Sequence, residues 1–231
     1  ILDQSISFYF WGQSSHLCDN LVQMIATSMH KLSLIVNAKG SGIHLVEICG
    51  GEARASQVAV RRRLKAGPNF DLVTLVDLTD PQHQRHTMQY IEANEVYVAV
   101  MAPVCGPFGP LGRLNRSVNP DGMRRAYEEH APLAQFCGRV ALKQCQRGRR
   151  FIQEQPYPSD LYNEVPWPQV LSIPGVVQTV HGRCMKGLCV SSGQYKGYAI
   201  KKPSSMTASC HDLTFYFEDQ RRNHRHEHIP N

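Results

Sequence analysis

Three short, largely apolar runs constrain this chain most. They lie at residues 43–49 (Ile-His-Leu-Val-Glu-Ile-Cys), 70–76 and 96–101, and stretches with helical spacing separate them. Strands covered on both faces read as near-continuous apolar segments, and parallel neighbours need a crossover between them, usually a helix. Residues 53–66 and 82–94 supply the two helical stretches. Asp80-Pro81 begins the second with a capping side chain and a proline suited to the first helical position. Strand–helix–strand–helix–strand in this order predicts an α/β fold: a mostly parallel, Rossmann-like sheet with helices on both faces.

The rest of the chain extends that core. A Gly/Pro-rich loop is expected over 103–120. A long helix follows over 122–146, which Pro132 should kink or split. A fourth strand starts at Phe151-Ile152 and runs into Glu154-Gln155-Pro156, and residues 176–180 suit another. Ahead of the core, Leu17, Leu21, Met24, Ile25, Met29 and Leu32 recur at helical spacing within 17–36. The division is therefore an N-terminal extension with an amphipathic helix (1–42), a Rossmann-like domain (43–212) and a basic, His-rich tail (213–231). His224, His226 and His228 would share one face of an extended segment. A polar tail is the preferred reading, and no metal site is assigned there.

Bulk properties exclude little but steer the reading. The 231 residues suffice for one α/β domain with a real core. A formal charge of +6 permits contact with nucleic acid without demanding it. Arg61–Arg63, Arg147, Arg149, Arg150, Lys201 and Lys202 suit a solvated face as well as phosphate contacts. No run of 18 apolar residues exists, so no transmembrane helix is expected, and the N-terminal residues lack the pattern of a signal peptide. Starting at Ile1, the chain reads as a segment of something longer. Its eight cysteines are spread without a tight framework or a Cys-x-x-Cys pair, which fits reduced thiols inside a cell rather than disulfides or a zinc ribbon.

In open α/β sheets ligands bind outside the carboxyl ends of the strands, and four polar clusters fall there. Glu47-Ile-Cys-Gly50-Gly51 is a glycine turn that could admit a ligand to a helix N-terminus, or simply a tight turn; it is not the Gly-x-Gly-x-x-Gly fingerprint. Asp77 could bond ribose hydroxyls, whereas Asp80 is best read as a helix cap. Cys105, in Ala102-Pro103-Val104-Cys105, sits in a stiff loop and is either a nucleophile or an inert thiol. Glu154 is either a proton donor or acceptor at a strand end or a surface glutamate before a turn.

In their order, these clusters resemble the motifs of S-adenosylmethionine-dependent cytosine-5 DNA methyltransferases, over roughly residues 43–209. A closer likeness is to methyltransferase-like segments of algal retrotransposon polyproteins. The resemblance implies a Rossmann-like methyltransferase sandwich with S-adenosylmethionine as cofactor. Glu47, Gly50, Gly51, Asp77 and Pro103 would bind that cofactor. Cys105 would be the nucleophile, Glu154 the glutamate that contacts the flipped base, and Arg183 the supporting arginine of Gln178-Thr-Val-His-Gly-Arg183. It also implies nucleic acid, with DNA preferred, as partner, no membrane, and an intracellular location with the nucleus as one option. The sequence departs from the family at Val104, which separates the proline from the cysteine, and at Glu52-Ala53 after the glycines. Gln155 stands where the family has asparagine, and Gly109 where it has serine. No separate target-recognition domain fits. Two other readings stay open: a catalytically degenerate segment of a mobile-element polyprotein that binds nucleic acid or partners, and an unrelated nucleotide-binding α/β protein.

Overall fold

The computed structural model describes residues 42–186, 188–200 and 202–218. The expected helix within 17–36, Lys201 and the three tail histidines His224, His226 and His228 lie outside them.

Six strands form one sheet: β1 (Leu45–Ile48), β2 (Ala66–Phe70), β3 (Val98–Met101), β4 (Arg150–Pro156), β5 (Val177–Gly182) and β6 (Pro203–Ala208). Their order across the sheet is β2-β1-β3-β4-β6-β5. β2, β1, β3 and β4 pair in parallel, and β6 runs antiparallel to both β4 and β5. The chain is therefore α/β, as expected, with a mostly parallel but mixed sheet. The reversed strand was not foreseen. Pro-Ser-Ser-Met-Thr-Ala carries no apolar run, yet five of its six residues are buried.

The helices are α1 (Arg54–Arg61), α2 (Pro81–Ala93), α3 (Pro110–Val118), α4 (Pro120–Gln146) and α5 (Trp167–Leu171). Strand pleating sends alternate residues to opposite faces, and each face has its own apolar cluster. Leu45, Val98, Val100 and Ile152 pack with Ala55 and Ala59 of α1 and with Met206, Leu213 and Phe217. Val46, Ile48, Ala99, Met101 and Phe151 pack with Ile91 of α2, the apolar face of α4, and Trp167 and Val170 of α5. Helices thus cover both faces. Leu213 and Phe217, at the start of the stretch read as a polar tail, are buried in the first cluster.

Four local differences from the sequence reading have clear causes. The second strand is Ala66–Phe70, not residues 70–76, and Gly67-Pro68 lies inside it. Proline is tolerated because β2 is an edge strand with a register shift beside it. Residues 72–74 instead form a 3-10 turn capped reciprocally by Asp71 and Thr74. α1 ends at Arg61, short of the expected residue 66. The Gly/Pro-rich loop contains α3, which Pro110 begins at its first turn.

Pro132 does not split α4, which runs as one helix of 27 residues. An interior proline disfavours a helix by ~3 kcal/mol. Leu133, Phe136 and Val140 are nearly or fully buried on the same helix, and each contributes about 1.5–3 kcal/mol, so packing outweighs the proline. Gly138 lets α5 approach closely: a Cβ there would lie 2.7 Å from Pro166 Cδ and 3.1 Å from Trp167 Nε1. The Trp167 indole N–H donates to the Ala134 carbonyl at 2.9 Å.

Candidate functional site

β5 runs in the same direction as β4, because β6 opposes both. The carboxyl ends of β1 to β5 and the amino end of β6 therefore share one edge of the sheet. At that edge lie the glycine turn after β1, Asn69 and Asp71 at β2, the Ala102–Cys105 loop after β3, and Glu154–Pro156 at the end of β4. Arg183 follows β5 and Lys202 precedes β6.

The glycine turn is held from below by β2. The Gly50 N–H donates to Asn69 Oδ1 at 3.3 Å and the Gly51 N–H to Asp71 Oδ2 at 3.0 Å. The Asn69 amide returns a bond to the Gly51 carbonyl at 2.8 Å. A Cβ on Gly50 would meet Glu47 Cβ at 2.7 Å and Asn69 Oδ1 at 2.8 Å, so only glycine fits. Cys49, Gly51 and Ala53 all have positive φ, at 58°, 55° and 53°. For Cys49 and Ala53 that conformation is disfavoured by about 1–2 kcal/mol each, and strain of this kind concentrates at ligand-binding turns. Beyond Gly51 the space is open, with no atom within 4 Å of where its Cβ would stand.

Glu47, 1% exposed, accepts the Ser56 N–H with its carboxylate and so caps α1 from the strand. Burial pushes this carboxyl above its usual range. Bonds from Ser56 and Ala55 oppose the rise, and the nearby Asp71 adds to it. Asp77, the acidic residue expected just after the second strand, instead lies beyond the 3-10 turn. It accepts the Thr79 N–H at 2.9 Å and the Thr79 hydroxyl at 2.7 Å, and these bonds lower its pKa. The acid that ends β2 is Asp71, which also accepts the Val73 N–H at 3.0 Å. Asp80 caps α2 by accepting the Gln82 N–H at 2.7 Å, as its position before proline predicts.

The second half of the edge gathers Cys105, Glu154 and Arg183. Glu154 and Arg183 form an ion pair, with side chains 14% and 10% exposed. Arg183 is held in place by its Nε–H bond to Ser204 Oγ at 2.7 Å and its backbone N–H bond to the Lys202 carbonyl at 3.0 Å. Burial alone would raise the Glu154 pKa. The Arg183 charge and hydrogen bond, with Ser204 and Lys202, outweigh burial and hold it below the usual carboxylate range. The ion pair with Arg183 thus favours the carboxylate form of Glu154.

Cys105 is half-buried and its thiol is free of any disulfide. Its carbonyl starts a tight turn, accepting the Phe108 N–H at 3.0 Å and the Gly109 N–H at 2.9 Å. Gln155, 0% exposed, fixes the preceding loop: its side-chain N–H donates to the Pro103 carbonyl at 2.9 Å. The Ser159 hydroxyl donates to Gln155 Oε1 at 3.3 Å. The cysteine loop is therefore tied to β4 next to Glu154.

Sequence reasoning named Cys105, Glu154, Arg183, Glu47, Gly50, Gly51 and Pro103, and all lie at this edge. It missed Asn69, Asp71 and Ser204 as the residues that shape the site, and it read Lys202 only as a phosphate contact. Asn69-Phe70-Asp71 carried a usable signal, but the strand was placed too late for it to register. Among the described residues, no group of three or more His, Cys, Asp or Glu gathers as metal ligands would. No protein-family model matches the chain, and no curated protein matches it.

Proposed function

We propose that this chain is an S-adenosylmethionine-dependent methyltransferase-like protein that acts on cytosine in DNA through Cys105. The observation that carries the reading is that a half-buried cysteine, a buried Glu–Arg pair and a strained glycine turn occupy one end of one sheet. A reversed strand between the last two parallel strands supports the Rossmann-like methyltransferase sandwich in particular.

The residues at the turn fit the cofactor. Gly51 opens onto free space, and α1 begins three residues later at Arg54. Helix N-termini and glycine turns suit the close approach of polar ligand groups. Gly50, Gly51 and Pro103 would line the cofactor's place, with buried Glu47 capping α1 from beneath and Asp71 acting through the backbone of Gly51. When bound, S-adenosylmethionine supplies an electrophilic methyl group.

The protein's own groups then have distinct tasks. Cys105 Sγ adds to C6 of a cytosine taken out of the base stack, which makes C5 nucleophilic. Glu154 stabilises the ring protonated at N3, the proton coming from solvent to balance the negative charge that the thiolate brings to the ring. Arg183 holds the Glu154 carboxylate in place and supports the base. Gln155 keeps the nucleophile loop in register with Glu154 through Pro103. Arg61, Arg62 and Arg63 are exposed and can contact phosphates.

Isothermal titration with S-adenosylmethionine tests the cofactor half. Saturable binding that Gly50→Ala weakens is the expected result. No detectable binding at millimolar cofactor overturns the reading.

A further inference from the structure

Between β5 and β6, over residues 183–202, the chain leaves the sheet and returns to it at the edge that carries Cys105 and Glu154. The neck of this excursion closes at the site. The Arg183 N–H donates to the Lys202 carbonyl at 3.0 Å, and the Arg183 side chain pairs with Glu154. Beyond the neck the two arms pair as a hairpin. The Ile200 N–H donates to the Leu188 carbonyl at 3.0 Å. The Val190 N–H donates to the Tyr198 carbonyl and the Gly197 N–H to the Val190 carbonyl, both at 2.9 Å. Cys189 and Ala199 form an antiparallel bridge between the arms. Leu188 and Ala199 are buried and root the hairpin in the protein, whereas every residue from Ser191 to Gly197 is exposed. A rooted hairpin with a wholly exposed tip, set beside a site, is the kind of loop on which binding residues concentrate.

The chemistry of the excursion suits a polyanion. No Asp or Glu occurs between Glu164 and Asp212, whereas Arg183, Lys186, Lys196, Lys201 and Lys202 all fall there. The tip adds an aromatic pair. The rings of Tyr195 and Tyr198 meet edge to face with centroids 5.8 Å apart, and Tyr195 stays 37% exposed. A tyrosine braced by a second ring, with a lysine next to it, is how proteins hold unpaired nucleotides: the ring stacks on a base and the ammonium takes a phosphate. A membrane-surface element would set large apolar residues beside its cations. This tip has Ser191, Ser192, Gly193 and Gln194 instead. We propose that the hairpin grips nucleic acid at the site edge, with Tyr195 stacking on an unpaired base and Lys196 holding a phosphate beside it. A cytosine must leave its stack to reach Cys105, so unpaired nucleotides belong at this edge. The inference rests on the reading of nucleic acid as the partner but needs neither cofactor nor methyl transfer.

Fluorescence anisotropy of a labelled single-stranded oligodeoxynucleotide, titrated with the intact chain in the absence of cofactor, tests it. Tyr195→Leu should weaken binding about tenfold, and Tyr195→Phe should stay near wild type, because stacking needs the ring and not the hydroxyl. Lys196→Gln should reduce the slope of log affinity against log salt by about 0.7, the value of one phosphate contact on a single strand. Both side chains are exposed, so the variants should fold as the wild type does. Wild-type affinity in Tyr195→Leu overturns the proposal, and so does a salt slope that Lys196→Gln leaves unchanged. A loss in Tyr195→Leu that is confined to anionic phospholipid vesicles also overturns it and assigns the tip to a membrane. The expected binding changes in a chain that forms no adduct with 5-fluorocytosine DNA would support the hairpin and defeat the enzyme reading alone. An adduct in a chain whose oligonucleotide affinity ignores Tyr195→Leu would defeat the hairpin alone.

Discussion

The buried amide of Gln155 donates to the carbonyl of Pro103, across 2.9 Å, and joins the glutamate strand to the cysteine loop. Through it the end of β4 sets the height of the loop that carries Cys105. A buried acceptor left without its donor costs about 1–3 kcal/mol. Gln155→Leu should therefore lower stability by about that much in urea unfolding. It should also change the alkylation rate of Cys105, whereas the rate at exposed Cys189 should stay unchanged.

The Arg183–Glu154 pair should behave as a coupled unit. Removing one partner of a buried ion pair is destabilising by ~3–5 kcal/mol because the other charge is left stranded. Arg183→Met should fall in that range by thermal or chemical unfolding. Arg183→Met combined with Glu154→Gln should recover part of the loss, and strict additivity of the two changes would show that the residues are not coupled.

The two glycines of the turn should respond differently. Gly50→Ala places a methyl against Glu47 and Asn69, whose contacts would be 2.7 and 2.8 Å, and overpacking of this kind costs about 1–3 kcal/mol. Gly51→Ala meets no atom but must adopt φ near 55°, which costs roughly 1 kcal/mol. Paired unfolding measurements should rank Gly50→Ala as the more damaging.

Glu154 and Glu47 should have opposite pH signatures. The depressed Glu154 pKa contributes stability that is present above the ordinary carboxylate range and is lost as pH falls through the lower folded value. The raised Glu47 pKa contributes stability that is full below the unfolded value and is lost as pH rises through the folded one. Relative to wild type, Glu154→Gln should therefore be most destabilising near neutrality and converge in acid. Glu47→Gln should improve on wild type as pH rises. Unfolding curves across acid to neutral pH read both trends.

Much of this architecture was legible in the sequence because β1, β3 and β4 are short runs flanked by turn residues, and Asp80-Pro81 announces α2. What escaped notice depends on tertiary context. β6 is half polar, with Ser204, Ser205 and Thr207 around Met206 and Ala208, so no apolar run marks it, and its burial comes from being sandwiched between β4 and β5. β2 contains a glycine and a proline that an edge position tolerates but a local rule forbids. The site residues on named motifs were found because each lies in or just after the carboxyl end of a strand. Asp71, Ser204 and Lys202 were not, because their roles arise from strands distant in sequence. α3 was hidden inside a loop-like composition. Its exposed Leu111, Leu114 and Val118 give it no buried stripe to recognise.

The central claim is that Cys105 attacks a cytosine that Glu154 and Arg183 engage. Incubating the protein with S-adenosylmethionine and DNA containing 5-fluorocytosine tests it most directly, because the fluorine blocks release of the covalent intermediate. A stable protein–DNA adduct that maps to Cys105 and disappears in Cys105→Ser is the predicted result. Saturable cofactor binding without any adduct in the wild type would contradict the claim.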